Sequence, residues 1–195
     1  TVGVTGTNGK TTTTNLIANG LTQLDKNPLL VGTIGITLAE ESIASSRTTP
    51  EATDLHSILL AAHQNGADSL VMEVSSHALT LGRVDGILYD VAVFTGLTQD
   101  HLDFHADMND YFAAKAALFT KERAAAAVIC IDDAWGLELA KISQIPVVTY
   151  GVNNLDADWK PKNIAVLADG RTEFTAAFKN IEIKVVVAIP GDFNI

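Results

Sequence analysis

Residues 5–12 (TGTNGKTT) suit phosphate chemistry, because they place two glycines, a lysine and several hydroxyls between a short apolar run and an amphipathic helical pattern. Glycines permit a turn that other residues resist, and a helix starting at Lys10 points its unpaired first amides at that turn. Lys10 can then reach the β and γ phosphates of a nucleotide, and Thr11 can hold Mg²⁺. These features predict a phosphate-binding loop made of Gly6, Thr7, Asn8, Gly9, Lys10, Thr11 and Thr12.

This loop departs from the general phosphate-binding pattern at one position. The general pattern has a glycine five positions before the glycine of the Gly-Lys pair, where this chain has Val4, and Gly6 lies only three positions before Gly9. A glycine-rich turn without a ligand is the alternative. The Gly-Lys-Thr sequence between a strand and a helix favours the phosphate-binding loop.

Carboxylates and imidazoles follow two later apolar runs. Glu73 closes the run at 69–74, and a carboxylate buried there needs a partner, for which the Mg²⁺ of a nucleotide is suited. A solvated carboxylate at a strand end is the alternative. Residues 100–105 (DHLDFH) place two carboxylates and two imidazoles together, which predicts a metal or catalytic site or, alternatively, a plain surface loop.

The remaining histidines carry weaker signals. His56 and His63 are seven positions apart on one predicted helix face, and we expect them to be solvated or packed rather than ligands. His77 follows closely after Glu73. It is as suited to orienting its neighbours as to acting in catalysis.

Lys115 lies in an alanine-rich helical pattern beside Phe112, Leu118 and Phe119. Its ammonium would be poorly solvated there unless the side chain extends outward, as a solvated lysine would. Burial favours the neutral amine, which can react with CO₂ to form a carbamate, a carboxylate-like ligand for Mg²⁺. The pattern therefore makes Lys115 a candidate metal ligand in carbamylated form.

Composition limits the function. The chain has 195 residues, is 47% hydrophobic and carries a formal net charge of -10, which argues against a nucleic acid partner because such binding uses Lys and Arg. Cys130 is the single cysteine, so no disulfide can form within the chain and a reducing, cytoplasmic location is expected. The sequence has no segment long enough to span a bilayer and no signal-peptide pattern, so no membrane partner is expected.

The order of apolar patterns predicts an α/β fold. Predicted strands end at Thr5 and span 29–36, 69–74, 90–95, 124–131 and 146–150, and predicted helices start at Lys10 and span 50–65, 109–119 and 134–142. Thr49 is the expected N-cap of the second helix, and 39–46 is an expected loop. This alternation predicts a doubly wound, mainly parallel sheet with helices on both faces.

The pattern changes after Gly151. Short alternating runs at 164–167, 172–178 and 181–189, with an Asp-Gly turn at 169–170, predict an antiparallel meander. We therefore divide the chain into an α/β core at 1–151 and a meander at 152–195. A first core strand at residue 1 and a close on residues 190–195 (PGDFNI) suggest a fragment of a longer enzyme.

Four ordered motifs resemble the central domain of the Mur ligase family: residues 6–12 (GTNGKTT), 72–77 (MEVSSH), 97–103 (LTQDHLD) and 111–115 (YFAAK). The resemblance covers essentially the whole chain. Within the family, residues 48–51 (TTPE) and 75–83 resemble the members that add the third amino acid of the peptidoglycan stem peptide.

The resemblance implies an ATP- and Mg²⁺-dependent amide ligase of peptidoglycan synthesis, which joins an amino acid to UDP-N-acetylmuramoyl-dipeptide through an acyl phosphate. It also implies an N-terminal domain for the uridine nucleotide and a C-terminal domain for the amino acid, both outside this sequence. The alternatives are a ligase similar to folylpolyglutamate synthetase or, for the isolated chain, a nucleotide-binding module without activity. The third amino acid, diaminopimelate or lysine, and the oligomeric state stay open.

Matching positions imply roles for individual residues. Lys10 would neutralise phosphate charge, Thr11 and Glu73 would hold one Mg²⁺, and His101 with carbamylated Lys115 would serve a second. The resemblance makes Lys10, Lys115 and His101 the catalytic candidates. The residues implied to contact the muramoyl-peptide substrate are Thr48, Thr49, Ser75 and Arg83. Gly96 departs from the asparagine that many relatives have there.

Overall fold

The computed structural model describes residues 1–189. The strands are β1 (Val2–Thr5), β2 (Pro28–Val31), β3 (Ile36–Leu38), β4 (Glu41–Ile43), β5 (Ser69–Glu73), β6 (Tyr89–Phe94), β7 (Ala124–Cys130), β8 (Val147–Tyr150), β9 (Lys160–Val166), β10 (Thr172–Phe178) and β11 (Ile181–Val187). The helices are α1 (Lys10–Gln23), α2 (Ala52–Gln64), α3 (Ser76–Thr80), α4 (Met108–Ala116) and α5 (Ala134–Ile142). Within residues 1–189, no helix combines the length and the apolar character needed to cross a bilayer.

The main sheet has eight strands in the order β4-β3-β2-β5-β1-β6-β7-β8. Neighbouring strands pair in parallel in the part of the sheet ordered β2-β5-β1-β6-β7-β8. Strands β3 and β4 add an antiparallel edge next to β2. Because β1 lies at the centre between β5 and β6, the carboxyl ends of these three strands meet at one edge of the sheet. The predicted doubly wound, mainly parallel sheet is confirmed, and its ligand crevice is expected at that edge.

The region after α1 differs from the prediction of one strand at 29–36. The chain turns back between Gly32 and Gly35, whose backbone groups exchange hydrogen bonds of 2.9 and 3.2 Å, so β2 and β3 form a hairpin. Gly35 has φ +153°, a conformation that other residues rarely adopt. The predicted loop at 39–46 was also wrong, since β4 lies within it and pairs with β3.

Two helix predictions were wrong in detail. The apolar residues Leu16, Ile17, Leu21 and Leu24 predict one buried face for the first helix. Leu16 and Leu24 are exposed, and the buried residues of α1 are Thr14 and Ala18. Thr49 is not the N-cap of α2, because that helix begins at Ala52 after Glu51. Helix α3 was not predicted, since five residues are too few to show a helical period.

The second sheet has three antiparallel strands in the order β11-β10-β9, as predicted. The alternation predicted for 172–178 is interrupted by a register shift between β10 and β9, so that Ala177 is buried and Ala176 is only partly buried. Trp159 stacks on Phe178 at 5.2 Å between ring centroids. The division of the chain at residue 151 stays a prediction, and the closing residues 190–195 lie outside the described residues.

Replacing Gly136 with alanine should destabilise the fold, because a Cβ atom there would lie 1.8 Å from the backbone oxygen of Cys130. Gly136 is buried in the first turn of α5, directly against the end of β7. We expect the free energy of unfolding, measured by urea titration, to fall by about 2–3 kcal/mol because packed backbone must move.

Gly20→Ala is the matched control for this substitution. Gly20 also lies inside a helix, but among the described residues nothing beyond its chain neighbours and the local helix backbone comes within 4 Å of an added Cβ. Alanine should raise the free energy of unfolding there by about 0.5–1 kcal/mol, since glycine loses more backbone entropy on folding. Effects of the same sign at both positions would contradict the packing argument.

Candidate active site

The loop between β1 and α1 is held against the end of β6. Gly6 has φ +145°, and a Cβ atom there would lie 2.0 Å from Oγ1 of Thr95. That hydroxyl donates to the backbone oxygen of Asn8 at 2.5 Å, and the amide of Thr7 donates to the backbone oxygen of Gly96 at 2.9 Å. Sequence reasoning missed Thr95, because its contact depends on the pairing of two strands distant in the chain.

Helix α1 leaves its first amides available to an anion. It begins directly after Gly9, which has φ +82°, and it has neither a side-chain cap nor an acidic residue in its first turn. Unpaired amides at a helix start attract phosphate oxygens. The loop therefore fits a nucleotide phosphate, although Thr12 makes no side-chain hydrogen bond among residues 1–189.

Lys10 folds back over this loop. Its Nζ atom donates to the backbone oxygens of Gly6 at 3.0 Å and Thr7 at 2.9 Å, so the ammonium is half-buried rather than fully extended into solvent. Burial lowers the pKa of Lys10, while the carboxylates of Glu73 and Asp100 act in the opposite direction. The ammonium thus lies next to the turn that would bind a phosphate.

Glu73 is buried at the carboxyl end of β5 and is held by hydroxyl and amide groups. Its Oε1 atom accepts from Thr11 Oγ1 at 2.9 Å and from the Thr33 amide at 2.8 Å, and its Oε2 atom accepts from Thr33 Oγ1 at 3.1 Å. A Cβ atom on Gly32 would lie 2.3 Å from Oε1, so the hairpin needs glycine beside the carboxylate. Thr33 and Gly32 were not predicted from sequence.

The oxygen atoms of Thr11 and Glu73 fit Mg²⁺, which prefers oxygen ligands and commonly shares them with phosphates. Within residues 1–189, no group of three or more His, Cys, Asp or Glu side chains converges as a protein-only metal site. A metal at this position would therefore need further ligands from water or a nucleotide.

Three of the four residues expected to contact substrate, Thr48, Thr49 and Ser75, lie close to Glu73. Thr48 Oγ1 is 3.0 Å from Thr33 Oγ1, which itself bonds Glu73. Thr49 Oγ1 donates to the backbone oxygen of Glu73 at 2.9 Å and accepts from the amide of Ser75 at 3.1 Å. The Ser75 hydroxyl caps α3 by accepting from the amide of Ala78.

Arg83 keeps one buried donor free among the described residues. Its Nη2 atom lies 3.0 Å from Oε1 of Glu51, and Nη1 donates to the backbone oxygen of Thr49 at 3.4 Å. The side chain is 9% exposed, and Nε has no hydrogen-bond partner in residues 1–189. A buried unpaired donor of a guanidinium is suited to an anionic ligand.

Lys115 is buried rather than solvated, with 1% of its surface exposed. Its Nζ atom donates to the backbone oxygen of Gly6 at 2.9 Å and lies 4.7 Å from the ring centre of Tyr111. Burial lowers the pKa of Lys115 to about 7, with a smaller contribution from Lys10. Because Lys10 and Lys115 share the Gly6 oxygen as acceptor, the two amines converge on the phosphate-binding loop.

The loop at 100–105 is partly buried. His101 has φ +53°, its Nε2 atom lies 3.6 Å from Oδ2 of Asp100, and its ring centroid is 5.1 Å from that of His77. His101 makes no side-chain hydrogen bond to Thr11 or Glu73 among residues 1–189, so its role toward a second metal stays a prediction. Burial lowers the pKa of His77, and nearby cationic groups add to this effect.

Two further expectations concern positions around the site. His56 and His63 are exposed on α2, as predicted, and His56 Nε2 is 3.1 Å from the backbone oxygen of Asp85.

Gly96 has φ +121°, and a Cβ atom there would lie 3.0 Å from Oδ2 of Asp133. An asparagine at position 96 would need a different arrangement of Asp133, which accepts from the Leu97 amide.

The buried Lys115 makes stability depend on pH. Between its folded pKa of about 7 and the usual lysine value of about 10.4, the unfolded chain binds one more proton, so raising the pH stabilises the folded state. In CO₂-free buffer, the unfolding free energy of wild type should rise relative to Lys115→Met by at most about 1.4 kcal/mol per pH unit. Urea titrations from pH 7 to 10 measure this difference, and parallel pH profiles would contradict it.

The amino-acid sequence matches a known protein family and curated relatives. The family described as Mur ligase middle domain matches residues 4–195. A protein of Streptomyces coelicolor named "UDP-N-acetylmuramoyl-L-alanyl-D-glutamate--2,6-diaminopimelate ligase" is 44% identical over 195 residues, which are 100% of this chain and 38% of that protein. A protein of the same name from Bacillus velezensis is 39% identical in an alignment of 201 positions, which covers 100% of this chain and 41% of that protein.

Solved structures also resemble this chain in fold. One that carries that ligase name has a TM-score of 0.90 at 31% identity and covers 99% of this chain and 40% of its own. E. coli FolC in complex with DHPP and ADP has a TM-score of 0.68 at 17% identity, over 99% of this chain and 50% of its own, and shows likeness of fold alone. The chain spans about two fifths of the length of the curated relatives named above. Because the family match runs through almost the whole sequence, the chain belongs to the Mur ligase middle-domain family.

Proposed function

We propose that this chain is the ATP-binding central domain of a ligase that joins an amino acid to UDP-N-acetylmuramoyl-dipeptide. The observation that carries the proposal is the meeting of Lys10, the Thr11–Glu73 pair and Lys115 at the edge where β1, β5 and β6 end. The muramoyl-peptide candidates Thr49 and Ser75 are bonded directly to the same edge. Phosphate chemistry and substrate binding would therefore take place within one crevice.

The proposed reaction has two steps. A carboxylate oxygen of the peptide attacks the γ phosphorus of ATP, the bond to the ADP oxygen breaks, and an acyl phosphate forms. The amine of the incoming amino acid then attacks the acyl carbon, phosphate leaves, and the amine loses a proton. Both steps bring anionic groups together, so they depend on positioning and charge neutralisation.

The residues of this chain would supply both effects. Lys10 and the first amides of α1 would bind phosphate oxygens, and the free Nε donor of Arg83 would orient an anionic group of the substrate. Thr11 and Glu73 would hold Mg²⁺, which supplies positive charge to the phosphates. We further propose that Lys115 is carbamylated in the active enzyme and that His101 lies near a second metal.

The names of the relatives favour diaminopimelate over lysine as the amino acid. Since this chain spans about two fifths of those relatives, we propose that the uridine nucleotide and the amino acid bind to parts of the enzyme outside it. Use of ATP and a cysteine without a disulfide partner support a cytoplasmic location.

A ligation assay tests the proposal. The full-length enzyme that contains this chain is incubated with MgATP, UDP-N-acetylmuramoyl-L-alanyl-D-glutamate and either diaminopimelate or lysine, and the product is identified by mass. We expect a product one diaminopimelate residue heavier and stoichiometric phosphate release. A parallel incubation contains MgATP, a folate and glutamate instead. Ligation there, with no muramoyl product in the first incubation, would support the folylpolyglutamate synthetase alternative.

The isolated chain provides a second measurement. Residues 1–195 should bind MgATP weakly in calorimetry, because the phosphate-binding loop is present. They should release no substrate-dependent phosphate, because the proposed substrate-closing parts are missing. Robust phosphate release by this chain alone would contradict the proposed division of labour.

A further inference from the structure

Ser76, His105 and Asp110 form a continuous chain of contacts that the proposed reaction does not use. Nε2 of His105 lies 2.9 Å from Oγ of Ser76, and Nδ1 lies 3.2 Å from Oδ2 of Asp110. His105 and Ser76 are 2% and 1% exposed. Both ring nitrogens of a buried histidine are thus matched to partners on different helices, α3 and α4.

The chemistry of these groups fixes the direction of the hydrogen bond to Asp110 and, for a neutral ring, also that of the bond to Ser76. A carboxylate only accepts, so Nδ1 of His105 must carry the proton and donate to Asp110. Nε2 of the neutral ring is then an acceptor, and the Ser76 hydroxyl donates to it. The opposite tautomer would place a nitrogen lone pair against the Asp110 carboxylate, which also accepts from the amide of Ala106.

The order serine, histidine, carboxylate is also the order that activates a serine nucleophile. Here the serine is sealed from solvent, so a substrate carbonyl cannot reach its Oγ atom. The neighbouring rings close the site further, with the centroids of Phe104 and Tyr111 at 4.9 and 5.1 Å from that of His105. The arrangement therefore fixes structure rather than attacks a substrate.

What it fixes is the start of α3 relative to α4. Ser76 is the first residue of α3, directly after Ser75, whose amide donates to Thr49. Asp110 lies in the first turn of α4, which also carries Lys115. Because α3 has only five residues, its own hydrogen bonds give it little rigidity. The contact of Ser76 with His105 at its first residue therefore determines where Ser75 lies.

We infer that His105 is a positioning residue, which through Ser76 holds Ser75 and the start of α3 in place for the muramoyl-peptide substrate. The structural part of this inference concerns the hydrogen-bond chain alone. The kinetic part rests on the proposed function.

Nitrogen NMR tests the hydrogen-bond chain without any assay of activity. Long-range ¹H–¹⁵N spectra of the full-length protein, with His105 assigned by comparison with His105→Asn, report which ring nitrogen carries the proton. We expect a neutral ring protonated on Nδ1, and we expect Ser76→Ala to shift the Nε2 resonance. A ring protonated on Nε2, or an Nε2 resonance unchanged by Ser76→Ala, would overturn the inference.

Kinetics test the positioning role. Ser76→Ala and His105→Asn should each raise KM for the muramoyl dipeptide about tenfold, because a buried hydrogen bond that fixes α3 is lost, while KM for ATP stays within about twofold. His105→Asn retains a donor near the Nδ1 position but cannot reach Ser76. The double variant should be no worse than either single variant, since both break the same contact.

His63→Gln is the matched control, because His63 is exposed on α2 and should change neither KM. Equal increases of KM for both substrates, or additive effects in the double variant, would overturn the positioning role. A wild-type enzyme that ligates no muramoyl substrate would refute the proposed function and with it the kinetic part. The NMR result would still decide the hydrogen-bond chain.

Discussion

Lys10→Ala should lower the turnover of the full-length enzyme by about 100- to 1,000-fold, the range seen when a preorganised group that stabilises transition-state charge is removed. The ammonium of Lys10 lies over the loop backbone, with hydrogen bonds to the oxygens of Gly6 and Thr7. In the proposed reaction two anions meet at the γ phosphorus, so loss of this charge raises the barrier more than it weakens ground-state binding. Steady-state phosphate release and ATP binding by calorimetry separate the two effects.

The folded state should largely survive this substitution. The two hydrogen bonds of Nζ are replaced by water, and we expect a loss of about 1–2 kcal/mol in the free energy of unfolding. Lys121→Ala is the matched control, since Lys121 is an exposed lysine after α4 and should leave turnover unchanged. Wild-type turnover in Lys10→Ala, or loss of the folded state, would refute the assigned role.

Lys115→Ala should reduce turnover by a similar factor of about 100 to 1,000, and a short carboxylic acid such as acetate should restore part of it. The proposal of a carbamate is supported by the 1% exposure of Lys115 and by a pKa lowered to about 7, which leaves much of the amine neutral and able to attack CO₂ near neutral pH. In that reaction the amine nitrogen bonds to carbon and loses a proton. The buried neutral amine thereby becomes an anionic carbamate, which is suited to a metal.

Acetate would fill the space of the missing carbamate and return a carboxylate to the site. The same acid should not rescue Lys10→Ala, in which a positive charge is missing, and this comparison controls for unspecific effects of acetate. Labelling with ¹³CO₂ and detection of the carbamate carbon by NMR gives a readout independent of turnover. Wild-type activity in Lys115→Ala, or an unmodified lysine in a complex with all substrates bound, would remove the carbamate from the mechanism.

Local sequence patterns were sufficient for much of the fold and for part of the site. The strand predicted at 69–74, observed as Ser69–Glu73, and the helix start at Lys10 depend on residues close together in the chain, whose apolar spacing and turn chemistry carry the signal. The same local pattern left open whether Lys115 is buried or solvated. The boundaries of α5 and β10 were predicted without error for the same reason. The order of strands and helices then required a parallel sheet, and so placed the end of β5 beside the phosphate-binding loop.

Other features could not be read from local patterns, because they depend on which distant groups the fold brings together. The hairpin between β2 and β3 delivers Thr33 to the carboxylate of Glu73, forty positions away in sequence. Thr49, which sequence alone assigns as a helix cap, instead donates to the backbone oxygen of Glu73 at the end of β5 and accepts from the amide of Ser75 at the start of α3. His105 reads as one member of a histidine-rich loop, and only its contacts with Ser76 and Asp110 give it a partner for each ring nitrogen. Periodicity reports which face of an element is buried, whereas the pairing of single polar atoms is decided by distances that exist only after the sheet has formed.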